Sequence, residues 1–223
     1  MASLSAKLGT ALSCGALALA LNLAVAVAAA PAGAAECRIA FLGDSLTAGY
    51  GLAKDESWPA EMRAELNAEG YDCTVINAGL SGDTTAGGLA RLDWLLADRP
   101  THVVVALGAN DGLRAIPVEE MKANLDAMLE KLRAADVATL LAGMRAPPNL
   151  GEDYARRFEA AFEDLAERYD VAFYPFLLKG VAARPELNQP DGIHPTARGV
   201  EVMVENSWPT FEDWLRSTGV TPS

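Results

Sequence analysis

Two histidines are present in the chain of 223 residues, and one of them sits in a segment suited to chemistry. His194 lies in Asp191-Gly192-Ile193-His194-Pro195-Thr196. A carboxylate three residues ahead can fold back onto the imidazole, fix its tautomer and stabilise the imidazolium, which is the orienting role in a serine triad. Pro195 marks a helix start. The plainer reading is a capping Asp beside a surface His. His102 opens an apolar run and reads as structural.

A nucleophile is on offer in Gly43-Asp44-Ser45-Leu46-Thr47-Ala48-Gly49-Tyr50-Gly51. On a strand-to-helix turn, the Ser45 hydroxyl would stand at the sheet edge. Its N–H, at a helix N-terminus, would suit a developing oxyanion. The competing reading is an N-cap serine. A phosphate loop does not fit, because Gly-Lys-Ser/Thr and G-x-G-x-x-G spacing are both missing. Asn110, in Gly108-Ala109-Asn110-Asp111-Gly112, can donate two amide hydrogens and is a second oxyanion donor or a turn Asn. Asp111 reads as a brace for that loop. Gly82 reads as a turn glycine that allows close backbone approach, and Asp83 as the cap of the next helix. Acyl transfer then assigns Ser45 as nucleophile, His194 as general base and Asp191 as orienter.

These residues need elements that bring them together. Five short apolar runs are Arg38–Leu42, Thr74–Asn77, His102–Leu107, Val137–Ala142 and Val171–Tyr174. They do not alternate polar with apolar, so they predict parallel strands buried on both faces. Helical spacing separates them: Val118, Met121, Leu125, Met128, Leu129 and Leu132, then Tyr154, Phe158, Ala161, Phe162 and Leu165. Further helices are predicted over 57–69, 84–97 and 196–215. The order βαβαβαβαβα implies a doubly wound α/β sandwich, whose sites lie at the carboxyl ends of the strands. All four chemical segments follow strands.

The first 35 residues are set apart. Lys7 is their one charge, Leu8 to Ala30 is apolar, and Pro31, Ala32, Gly33, Ala34 and Ala35 follow. This is the order of an export signal, cut after Ala34 or Ala35. The retained-anchor reading is weaker, because Pro31 and the small residues precede Glu36; a lipoprotein reading of Cys14 is weaker still, since the apolar run follows that cysteine. A mature domain over 36–223, periplasmic or secreted, is expected. A net charge of −12 argues against nucleic acid and anionic lipid. Three Cys are too few for a disulfide scaffold, and no Cys/His set has zinc spacing.

Gly43-Asp44-Ser45-Leu46, Gly82, Gly108-Ala109-Asn110-Asp111 and Asp191-Gly192-Ile193-His194 together resemble the GDSL/SGNH hydrolase family. Ser81–Thr84, Gly88–Leu92 and Asn110–Arg114 resemble its periplasmic thioesterase/lysophospholipase branch, which includes arylesterases. The resemblance implies a three-layer, flavodoxin-like sandwich with five parallel strands. It implies an oxyanion hole of the Ser45 N–H, the Gly82 N–H and the Asn110 side chain, which overrules the turn reading of Gly82. It implies a serine esterase acting on acyl or aryl esters, thioesters or lysophospholipids, with no metal or cofactor. A carbohydrate acetylesterase of the same fold is the alternative, and a non-catalytic binding module the more remote one. Ala109 departs from the family's usual second glycine there. Met144, Arg145 and Pro147, after the fourth strand, are expected to line the substrate site. Cys37 and Cys73 start two strands that neighbour each other in a flavodoxin-like order, and a disulfide is expected between them.

Overall fold

The computed structural model describes residues 36–223; the expected export signal, residues 1–35, lies outside the described residues. Five strands form one parallel sheet: β1 (Cys37–Gly43), β2 (Cys73–Gly79), β3 (His102–Ala106), β4 (Ala138–Ala142) and β5 (Ala172–Tyr174). Their order is β2-β1-β3-β4-β5. The order reverses between β1 and β3, so the crevice at their carboxyl ends is the favoured ligand position in an open α/β sheet.

Among the described residues, seven α-helices occur: α1 (Ser45–Ala48), α2 (Trp58–Ala68), α3 (Thr85–Ala97), α4 (Ala109–Leu113), α5 (Val118–Ala134), α6 (Glu152–Tyr169) and α7 (Ala197–Ser217). α2 packs with α7, α3 with α5, and α5 with α6. Right-handed crossovers place α2 on one face of the sheet and α3, α5 and α6 on the opposite face, and α7 lies with α2, against which it packs. Phe41 of β1 joins sheet to helices: Trp58 of α2 meets it edge-on at 5.0 Å and Phe211 of α7 stacks at 5.9 Å. Phe158 and Phe162 fill the other side from α6. Among the described residues, no helix is long and apolar enough to cross a membrane.

Two local expectations and one competing reading need correction. β2 and β5 are not buried on both faces; they are the two edge strands, and within them only Cys73 and Tyr174 are buried. Ser45 does not cap α1. Asp44 does, accepting from the Leu46 N–H at 3.0 Å, which leaves the Ser45 side chain free. Asp83 does not cap α3 either. Thr84 takes that role, and Asp83 instead pairs with Arg91 at 2.7 Å, a charge-assisted bond that a cap would forgo.

Cys37 and Cys73 are opposed at the first position of the β1–β2 pairing and are joined by a disulfide, with Cα atoms 4.6 Å apart. The bond closes a loop of sequence separation 36. Restricting the unfolded chain over such a loop stabilises the fold by about 4 kcal/mol before strain is subtracted. The double variant Cys37→Ala/Cys73→Ala is expected to lose about 2–4 kcal/mol of unfolding free energy. Urea denaturation of both proteins measures it, and an unchanged midpoint would contradict the estimate.

Candidate active site

The site begins where β1 ends. Asp44 is buried, and its Oδ1 holds the first turn of α1. Its other oxygen, Oδ2, accepts from Asn110 Nδ2 at 3.4 Å, across from the start of α4. One carboxyl group thus sets both the turn under Ser45 and the direction of the Asn110 amide. Burial pushes the Asp44 carboxyl up to about 6, while the Leu46 and Asn110 bonds work against that rise.

Ser45 Oγ and His194 Nε2 are 2.9 Å apart. Behind the ring, His194 Nδ1 and Asp191 Oδ2 are 2.6 Å apart. Nδ1 therefore carries the proton it donates to the carboxylate, and Nε2 is left to accept from the serine hydroxyl. Asp191 Oδ1 accepts the backbone N–H groups of Ile193 and His194 at 2.9 and 3.0 Å. Hydrogen bonds from the His194 N–H, the His194 ring and the Ile193 N–H hold the Asp191 carboxyl down at about 2. It stays ionised throughout the range in which an imidazole works. The folded value lies below the unfolded 3.8, so this group's stabilisation is present above about pH 4 and is lost as pH falls through about 2.

Gly82 and Asn110 flank Ser45 from the next two strand ends. Gly82 has φ +84, a left-handed conformation in which a side chain is strained. Its carbonyl accepts from Arg114 Nη2 at 2.7 Å. Arg91 braces the same loop: Nε binds Asp83, Nη1 the Ala78 carbonyl at 2.7 Å, and Nη2 the Gly43 carbonyl at 2.9 Å. Among the described residues, neither the Ser45 N–H nor the Gly82 N–H has an acceptor. Asp111 lies beneath, accepting from the Thr85 N–H at 2.9 Å and the Thr85 hydroxyl at 2.5 Å, so it does brace its loop.

A cavity of about 940 Å³ opens from Ser45 and Asn110, with Leu113, Phe176, Leu178 and Pro209 among its apolar walls. Met144, Arg145 and Pro147 all line it. Met144 is buried, whereas the Arg145 guanidinium lies over the Phe176 ring at 4.6 Å. Ala109, in place of the second glycine, also lines the cavity. His102 lies at the opposite end of the sheet, its ring nitrogens 2.8 Å from Thr101 Oγ1 and 2.9 Å from Thr218 Oγ1. Burial lowers its pKa.

Asp44, Arg91 and Tyr50 stand in the motif segments but carry no assigned role in the sequence, and Gln189 lies outside those segments. Only Asp44 had a local signal, as a good capping residue at a strand-to-helix turn. The others act through contacts between segments distant in sequence, Arg91 with Gly43 and Tyr50 with Gln189 and His194.

A profile of the GDSL-like lipase/acylhydrolase family matches residues 41–202. Esterase TesA of Pseudomonas aeruginosa is 42% identical over 183 residues, covering 82% of this chain and 91% of its own. The thioesterase 1/protease 1/lysophospholipase L1 of Escherichia coli K12 is 37% identical over 183 residues, covering 82% and 83%. The crystal structure of AlinE4, an SGNH-hydrolase family esterase, superposes with a TM-score of 0.68 at 46% identity, covering 81% of this chain and 97% of that one. With the strand order and the four strand-end segments already in place, the chain belongs to the GDSL-like lipase/acylhydrolase family, the SGNH hydrolases.

Proposed function

We propose that the protein is a serine esterase that hydrolyses acyl or aryl esters, and thioesters or lysophospholipids of matching shape. The observation that carries this is the continuous chain Asp191–His194–Ser45, with contacts of 2.6 and 2.9 Å. Ser45 Oγ attacks the carbonyl carbon as His194 Nε2 takes its proton. The carbonyl oxygen becomes an oxyanion, which the Ser45 and Gly82 N–H groups and the Asn110 amide are placed to receive. Collapse breaks the bond to the alcohol or thiol, which leaves with the proton from His194. Water then attacks the acyl-serine, gives its proton to His194, and the acid departs as Ser45 regains a proton. Every proton and electron pair is accounted for by these side chains.

The lining of the cavity supports an acyl group of some length. Leu113, Met144, Phe176 and Leu178 present carbon surface, and each CH₂ buried there favours binding by about 0.8 kcal/mol. A p-nitrophenyl ester series should therefore show kcat/KM rising from acetyl to octanoyl by about tenfold or more. A maximum at acetyl would overturn this assignment and favour the carbohydrate acetylesterase reading.

Residues 1–35 are proposed as a cleaved export signal that delivers the 36–223 domain to the periplasm or outside the cell. The Cys37–Cys73 pairing supports an oxidising compartment.

A further inference from the structure

Tyr50 is 52% exposed, yet it is held firmly. Gly49 and Gly51 flank it with φ of +80 and +76, so the backbone on either side takes a conformation that other residues rarely adopt. A Cβ at Gly51 would lie 2.4 Å from Gln189 Oε1. That Gln189 side chain is a clamp. Its Nε2 donates to the Tyr50 carbonyl at 2.7 Å and to the Pro195 carbonyl at 2.9 Å. Its backbone N–H donates to the His194 carbonyl at 2.7 Å. One residue therefore ties the loop after Ser45 to the loop that carries His194. The Tyr50 ring lies with its centroid 4.5 Å from that of the His194 imidazole, tilted by 36°.

We propose that Tyr50 is a positioning residue for the general base: its ring covers one face of the His194 imidazole, keeps Nε2 directed at Ser45, and stabilises the imidazolium formed when the serine proton is taken. This rests on the reading of Ser45, His194 and Asp191 as a triad. A cation over an aromatic face within about 6 Å is stabilised, more so where water is excluded. His194 is 17% exposed by its side chain, so much of its surface is already covered. The other ionisable groups that face the imidazole are Asp191, on Nδ1, and the buried Asp44, which feels its charge. Both remain in the variants below. The stacking needs the ring and not the phenol hydroxyl.

Three variants on a p-nitrophenyl ester, each taken across pH, test this. Tyr50→Phe should keep kcat within about twofold. Tyr50→Leu should lower kcat by about three- to thirtyfold, with KM nearly unchanged. It should also move the acid limb of kcat/KM to lower pH, because loss of the ring costs the protonated base, a cation over an aromatic face, more than it costs the neutral one. Since Tyr50 faces solvent, Tyr50→Leu removes little core packing and should fold. Unchanged kcat and limb in Tyr50→Leu would overturn the inference. So would a fall in kcat with the limb in place, or a loss in Tyr50→Phe as large as in Tyr50→Leu. Ser45→Ala in the same panel separates the two levels: full activity there would sink the triad reading itself, whatever Tyr50 does.

Discussion

Ser45→Ala and His194→Ala are each expected to lower kcat for ester hydrolysis by about 10⁶-fold, and the double variant is expected to be no worse than either alone. The reason is the 2.9 Å contact between Ser45 Oγ and His194 Nε2. A neutral serine hydroxyl is a weak nucleophile and depends on the base that removes its proton. Without the base, the hydroxyl adds little; without the hydroxyl, the base has no proton to take. The two therefore act as one unit, and their effects do not add. Binding and oxyanion stabilisation survive in both variants, which should still exceed the uncatalysed reaction by about 10³–10⁴. Steady-state kinetics on the three variants checks the pattern. A double variant far below both singles would mean that the residues act independently.

Asp191→Asn is expected to lower kcat by about 10³–10⁴. Here the hydrogen bonds dictate the result. Asp191 Oδ1 already accepts the Ile193 and His194 N–H groups, and Oδ2 accepts from the ring. An asparagine has one acceptor oxygen in place of two. If that oxygen keeps the backbone amides, the NH₂ faces His194 Nδ1, which must then accept. The ring proton moves to Nε2, and the imidazole can no longer take a proton from Ser45. If the amide turns over, its NH₂ is driven against two backbone donors and the loop is disturbed. Either outcome damages the base while Ser45, Gly82 and Asn110 stay in place. The effect should fall short of His194→Ala, because the Asp191 side chain is 38% exposed and water can in part replace it. Comparing kcat for the two variants on one ester checks the order. Equal activity of Asp191→Asn and wild type would show that the carboxylate does not orient the ring.

The parts of this account that could be read from the chain were those with local or periodic causes. Helix spacing in Val118–Leu132 and the apolar run His102–Leu107 placed α5 and β3 to within a residue or two, because burial on one or both faces leaves its period in the sequence. Asp191 and His194 could be paired because three residues separate them. Edge position could not be read in the same way. Thr74–Asn77 is apolar enough for a central strand, yet β2 ends the sheet. Nothing local separates the two cases, since edge or centre is decided by the crossover from β2 to β3. Capping failed at Asp83 for a related reason: Asp83 and Thr84 are both good caps, and Arg91, eight residues on, took the carboxylate. The Tyr50–Gln189–His194 clamp was the least accessible, because it joins loops 139 residues apart.

The proposed mechanism stands on Ser45 as a nucleophile activated by His194. Reaction with a fluorophosphonate, followed by peptide mass spectrometry, tests it most directly. One phosphonyl group is expected on the peptide containing Ser45, with loss of esterase activity in step with labelling and far slower labelling of His194→Ala. Unlabelled Ser45 in active protein, or a label on another serine accompanied by the loss of activity, would contradict it.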